Sequence, residues 1–419
     1  MNALEAKFLT VLRFIQEQGS VEQTRIARAL GFSLMTINKI VNTLVRSGII
    51  VKYGKTSGGS GRRSDLFRFN PELFISIGAD INEDRIIISA VRSDGSIIAN
   101  KEYTLDKARH KSLTSGDITR LIERNYHQFT EDFMLDRGKI AVIGIAPEGI
   151  IDSENGRCLL GTHLGGIIDL NLKYELQEIL HLPTFIDDPA RSVAYYESKY
   201  GDGINTKNFI YMYLGKGVGS GIIIDGKIYR GFRGIAGEIG HIIIDKNGSR
   251  CKCGNYGCLE TIASEESIIR QVKEGIGEGV FTKIIDYCHG EIEKISLKVL
   301  KKAADDNDKF SHNILEHVGN QLGKAVSLLI NIFNPELVLI GGMVAILGDY
   351  LLDSVKRVIK NETLNIMNEK TEIRISNYNE NKDSTGIAIE AFDALFRDAN
   401  KESRNFIDTL FKKILHRHM

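Results

Sequence analysis

The sequence predicts an α/β protein in two parts: a winged helix-turn-helix over residues 1–70, followed by a two-lobed α/β body. Three observations carry the prediction. Charge is divided unevenly along the chain. The first 70 residues show three amphipathic helical periods closed by two strand-like runs. The remainder alternates strand and helix patterns in two halves, each opening on a hairpin-like pair.

The net charge of the 419 residues is zero. Residues 1–69, however, hold eleven Lys and Arg against Glu5, Glu17, Glu22 and Asp65, a balance of 11 − 4 = +7 that leaves −7 for the rest. A basic head on a mildly acidic body suggests that only the head meets a polyanion. No apolar run reaches the roughly 20 residues that span a bilayer, and the N-terminus lacks a signal-peptide pattern. A cytoplasmic protein without a membrane partner is expected. The five cysteines, an odd number in such a chain, argue against a disulfide framework.

In the head, Leu4, Phe8, Val11, Leu12 and Ile15 recur at helical spacing up to Gly19. Ser20 and Gln23 read as a capping box for a second helix, with Ile26, Ala29 and Leu30 on one face before Gly31. Ser33 is placed to cap a third helix with a buried stripe of Ile37, Ile40, Val41 and Leu44, stopped by Gly48. The third helix is the expected reader of double-stranded DNA, offering Ser33, Thr36, Asn38 and Lys39 to base edges and phosphates. Two strands, about 49–53 and 65–69, flank a Gly/Ser loop that carries Arg62 and Arg63, a wing suited to the minor groove.

In the body, "FISIGADI" (74–81), "RIIISAVRSDGSII" (85–98) and "IAVIGIAPEGIID" (140–152) read as strands, with a helical stretch near 117–134. A second half starts at "NFIYMYLGKGVGSGIIIDGKIY" (208–229) and later reaches "PELVLIGGMV" (335–344). The expected lobes are 71–195, completed by C-terminal helices from about 385 to 419, and 196–384. The glycine-rich turn at Gly215, Gly217, Gly219 and Gly221 has neither dinucleotide-binding nor P-loop spacing.

The run "LGKGVGSGIIIDGKIYRGFRGIAGEIGH" followed by "CKCGNYGCLE" resembles the ROK family of repressors, open reading frames and kinases. With a winged helix in front, the resemblance is to the family's sugar-responsive repressors. It implies an actin-like, hexokinase-type fold, a zinc ion, a sugar site between the lobes and a homodimer or homotetramer. His241, Cys251, Cys253 and Cys258 supply one imidazole and three thiolates, a soft tetrahedral set suited to Zn²⁺ in a structural role. The plainer alternative is reduced cysteines packed in a turn. The resemblance further implies that Glu238, His241 and Glu260 contact sugar hydroxyls, the metal holding the ring between the two acids.

Elsewhere the chain departs from the family's kinases. In "PTFIDDPARSVAYYE" (183–197) the register puts Pro189 where those kinases carry the general base, with Asp188 and Arg191 at the flanking Asn positions. Proline accepts no proton, so general-base help worth roughly 10²–10⁴ in rate is lost. The first phosphate turn reads Asp80-Ile81-Asn82-Glu83-Asp84, Lys216 replaces the Thr of the second, Met343 ends the late Gly-rich turn, and His163 precedes Leu164 where the kinases have Asn-Leu. The expectation is a DNA-binding repressor that senses a carbohydrate at Asp188, Glu238, His241 and Glu260 and catalyses nothing. The rivals are a sugar kinase with an accessory head, and a sugar-insensitive DNA-binding regulator controlled by a protein partner.

Overall fold

A computed structural model describes residues 3–55, 63–105, 115–161, 164, 167–377, 381–397 and 401–416. The head contains α1 (Ala3–Gln18), α2 (Gln23–Leu30) and α3 (Leu34–Arg46). They pack on a small sheet of order β1-β3-β2, formed by Ser20–Glu22, Asp65–Phe69 and Ile50–Lys55 respectively. Ser33 caps α3 as expected, its hydroxyl accepting from the Thr36 amide at 3.1 Å. The expected capping box at Ser20 and Gln23 does not form. Ser20 lies in β1 opposite Arg68, and Glu22 precedes α2 without a side-chain cap. Pairing with β3 satisfies the backbone that a local cap would otherwise have served.

The body is built on two five-stranded sheets. The first runs β11-β7-β4-β5-β6, with β4 Ile75–Ile81, β5 Arg85–Arg92, β6 Ile97–Thr104, β7 Ile140–Pro147 and β11 Thr184–Ile186. The second runs β14-β13-β12-β15-β16, with β12 Phe209–Leu214, β13 Val218–Ile224, β14 Lys227–Ile228, β15 Leu337–Gly341 and β16 Glu372–Ile375. Each is an antiparallel three-strand meander whose first strand pairs in parallel with the fourth, and the fourth with the fifth. The body is thus one topology used twice. A smaller sheet of β8 (Ile150–Asp152), β9 (Arg157–Gly161) and β10 (Ile167–Leu170) sits between β7 and β11 in the chain.

Two helices bind the halves together. The Lys382–Arg397 helix crosses β4 so closely that a Cβ on Gly78 would strike the Ser384 carbonyl. The Pro189–Tyr200 helix lies on β13 in the same way, with Gly221 against the Ala194 methyl. Only glycine permits either approach.

The head shares its core with the body. Phe67 and Phe69 of β3 join Phe74, Phe392 and Phe396 in one buried cluster. Phe69 and Phe396 rings stand 5.4 Å apart, and Phe74 and Phe406 5.1 Å. Phe406, Ile407, Leu410 and Phe411 of the Lys401–His416 helix belong to that cluster too. The last helix therefore shares the core that joins head and body, its Phe406 ring lying against Phe74, Phe392 and Phe396.

Candidate functional site

The loop after β14 turns through a short helical segment, Ile239–His241, and then a hairpin-like bridge pairing Ile243 with Cys258. These turns gather the ligating atoms of His241, Cys251, Cys253 and Cys258 within 4.8 Å of one another. His241 Nδ1 lies 3.7 Å from Cys251 Sγ, and Cys253 Sγ lies 3.7 Å from Cys258 Sγ. A zinc tetrahedron with bonds of about 2.3 Å to sulfur has edges of about 3.8 Å, so the spacing fits. No disulfide links these cysteines. Cys251 and Cys258 are buried, which favours a closed site over one open to a catalytic water.

Beside this cluster lies a cleft between the two sheets, lined by Glu148, Asp188, Tyr213, Glu238, His241 and Glu260, with Pro189 and residues 217–219. The four residues expected to meet sugar therefore face one space. With Nδ1 turned to Cys251, His241 has Nε2 left for the cleft. Glu260 is held by the Val218 amide at 3.1 Å and touches Cys251 Sγ at 3.9 Å, so the metal loop and the cleft wall share a residue. Burial, then the neighbouring Asp188, pushes the Glu238 carboxyl up to about 8. Sequence reasoning passed over Glu148; the signal available was an acid immediately after an otherwise apolar strand.

Asp188 N-caps the Pro189–Tyr200 helix, accepting from the Ala190 and Arg191 amides at 2.8 and 3.2 Å. Pro189 follows at the first helical position, where its missing N–H costs nothing. Arg191 does not enter the cleft wall. It is 1 % exposed and ties Asp187 (Nε to Oδ1, 2.5 Å) to the carbonyls of Ala236 and Ile151 at 2.9 and 3.4 Å. Arg230 closes the network from the second half, donating to Asp187 Oδ2 at 3.0 Å and contacting Glu390. Asp187, Arg191, Arg230 and Glu390 thus fasten the two halves beneath the cleft.

At the β4–β5 turn the backbone is satisfied locally. Asn82 Oδ1 accepts from the Asp84 and Arg85 amides at 3.0 and 3.1 Å. Asp84 pairs across the cleft with Lys216 of the β12–β13 turn. Met343 packs partly buried against the second half's core. His163 lies outside the described residues.

On the head, α3 presents Ser33 and Lys39 to solvent, with Thr36 and Asn38 half-buried. Leu34 and Met35 are exposed as well, Met35 by 82 %. Asn42 and Arg46 extend the exposed face at helical spacing. Apolar groups at such a helix tip suit contact with thymine methyls, and sequence reasoning gave neither residue a role. Arg63 is exposed beside the wing, and Arg62 lies outside the described residues.

Residues 76–392 match the ROK family, and residues 9–51 match the winged helix-turn-helix DNA-binding family. The xylose repressor of Caldicellulosiruptor bescii is 31 % identical over 353 residues, 84 % of this chain and 86 % of that protein. The xylose repressor of Bacillus subtilis is 28 % identical over 90 % of this chain and 92 % of its own. The transcriptional dual regulator NagC of Escherichia coli is 26 % identical over 84 % of each. Among solved structures, a ROK family transcriptional regulator, a homologue of the Escherichia coli MLC protein, superposes with a TM-score of 0.78 at 25 % identity over 99 % of both chains. A ROK glucokinase from Streptomyces griseus, at 24 % identity, shares the fold of the body with a TM-score of 0.66 over 76 % of this chain. With a head, a doubled α/β body and a His-Cys₃ loop at the cleft, and with this match over 76–392, the chain belongs to the ROK family.

Proposed function

We propose that this protein is a sugar-responsive transcriptional repressor: the winged head binds an operator in double-stranded DNA, the cleft binds a small polyol, and Zn²⁺ held by His241, Cys251, Cys253 and Cys258 fixes the loop between them. The observation that supports this most is the joining of two features in one chain. Acids and an imidazole braced by a metal-ligand set line the cleft, while the position that serves as general base in the family's kinases is Pro189, built into a helix N-terminus. Asp188, the nearest carboxylate, has its Oδ1 committed to the two cap amides. Asn82 and the Asp84–Lys216 pair fill the former phosphate side. These features support binding without phosphoryl transfer.

Ser33, Thr36, Asn38 and Lys39, with Arg62 and Arg63 on the wing, are the proposed DNA contacts. Asp188, Glu238, His241 and Glu260 are the proposed sugar contacts. Effector binding favours one arrangement of the halves, and in a homodimer or homotetramer this changes the distance between paired heads. Heads that no longer match their half-sites lose the bivalent share of their affinity. The experiment is a titration of monosaccharides against operator binding by the full-length protein, run beside an assay for ATP- and Mg²⁺-dependent sugar phosphorylation. A sugar that weakens operator binding without turnover is the expected result. No response to any sugar removes the sensor, and turnover abolished by Asp188→Ala makes the protein a kinase.

A further inference from the structure

The cleft is unusually acidic for a pocket that reads a neutral sugar. Glu148, Asp188, Glu238 and Glu260 all line it, and no Lys or Arg among the described residues does. Cations close by have partners of their own: Lys216 with Asp84, Arg191 with Asp187, and Arg85, whose charge also acts on Glu148, with Glu102 at 3.2 Å. Glu148 is the telling residue. It is 8 % exposed, and its Oε2 has no hydrogen-bond partner among the described residues. Behind it stand Asp80 and Asp383, 3 % and 1 % exposed, which act on it as like charges. A carboxylate at the wall of a cleft, with one oxygen buried and unpaired, leaves room for a donor.

A sugar hydroxyl can donate to it, but a donor that also offsets the surrounding negative charge is a metal ion or an organic ammonium. Among the described residues, His241, Cys251, Cys253 and Cys258 are the one group of three or more His, Cys, Asp or Glu side chains close enough together to share an ion. The cleft carboxylates do not converge in that way, as hard-cation ligands must at about 2.0–2.6 Å from one centre. An ammonium needs one close carboxylate and a negative surround, and it brings three donors and no acceptor.

We propose, building on the reading of the cleft as an effector site, that its ligand is a polyol bearing a protonated amine, an aminosugar or aminocyclitol, whose ammonium is received by Glu148 while Glu238, His241 and Glu260 take the hydroxyls. Sugar phosphates and uronic acids are excluded by the same carboxylates. Burial, with Asp80 and Asp383 adding to it, raises the Glu148 carboxyl well above its ordinary range, as expected of a site whose counter-charge arrives with the ligand.

The test is calorimetric titration of the full-length, zinc-loaded protein with matched pairs: glucosamine and glucose, galactosamine and galactose, mannosamine and mannose. N-acetylglucosamine and glucosamine 6-phosphate serve as controls. In at least one pair the amine is expected to bind tenfold or more tightly than its hydroxyl partner. The acetylated control should lose that advantage and the phosphate should bind more weakly. Glu148→Gln, which keeps the shape and removes the charge, should bring the pair within about twofold. The wild-type pairs decide the question even if that variant fails to fold. A neutral sugar that binds as tightly as its amine overturns the inference and leaves the sensor intact, as does an amine preference that survives Glu148→Gln. Absence of binding by every pair overturns the effector reading itself.

Discussion

Replacing Asp187 by Asn tests whether the charge network beneath the cleft holds the two halves together. Asp187 is fully buried and Arg191 is 1 % exposed; three donors reach the carboxylate, from Arg191 Nε at 2.5 Å, the Asp188 amide at 2.8 Å and Arg230 Nε at 3.0 Å. Asn keeps the volume but removes the charge that compensates two guanidinium groups, one of them shut away from water. Breaking a buried pair from one side costs about 3–5 kcal/mol. Glu390 sits in the same network and supplies the control. Burial, and then Asp187, pushes its carboxyl up to about 8, so near pH 7 it already holds a proton. Glu390→Gln should therefore cost less than about 1 kcal/mol, because the amide reproduces the protonated acid.

The signs with pH are opposite. Burial alone would raise Asp187, but Arg191 and Arg230 outweigh it and hold the carboxyl below its usual value. Its contribution is present above the unfolded value of about 3.9 and disappears as pH falls through the lower folded one. Glu390 favours the protonated folded state, so its contribution is present below the unfolded value of about 4.3 and is lost as pH rises towards 8. Glu390→Gln should thus gain on the wild type between pH 6 and pH 9. Urea and thermal unfolding of both variants across that range is the assay. Equal costs for the two substitutions at pH 7 would refute the assignment of charges.

The remaining predictions concern the metal, the head and the link between them. Cys258→Ser should reduce bound zinc from one ion per chain to none in native mass spectrometry and lower the melting temperature, while a chelator should do the same to the wild type. Arg62→Ala with Arg63→Ala should weaken DNA binding across sequences and reduce the salt slope by about two, and Lys39→Ala by about one, with zinc content unchanged. Asp393→Ala removes the carboxylate that accepts from Gln16 of α1 at 2.8 Å and from the Tyr195 hydroxyl. Operator affinity without effector should stay within about threefold of the wild type, and the drop caused by effector should shrink.

What the sequence disclosed follows from the range of the forces involved. The three head helices were legible because each has a polar and an apolar face of its own. β1 was not, since three residues become a strand only by finding β3 some forty residues later. The doubled sheet topology escaped notice because β4 and β7 are buried along their whole length and show no alternation. The metal set could be read from the page because its four residues lie within eighteen positions. Glu148 could not, as it reaches the cleft from a strand almost a hundred residues before Glu238. Arg191 read only as a change at a flanking Asn position, and its burial makes it a strut. The last helix read as part of the first lobe, and nothing in its sequence showed that the head would share its core.

The distance from cleft to head is short in structural terms. Asp188 closes one end of the Pro189–Tyr200 helix and lines the cleft. Tyr195 on the same helix reaches Asp393, which also holds Gln16 of the first head helix. Twelve residues of helix span about 18 Å, and such a rod moves as one piece. A ligand that draws on Asp188 is therefore placed to act on α1 through a single rigid element and one shared carboxylate. Proximity alone shifts no equilibrium: the ligand must bind one arrangement of the halves better than the other. Clustered cleft acids provide that difference, since bringing them together is unfavourable until a donor arrives. A tenfold preference for one arrangement, about 1.4 kcal/mol, moves the operator equilibrium by at most that factor.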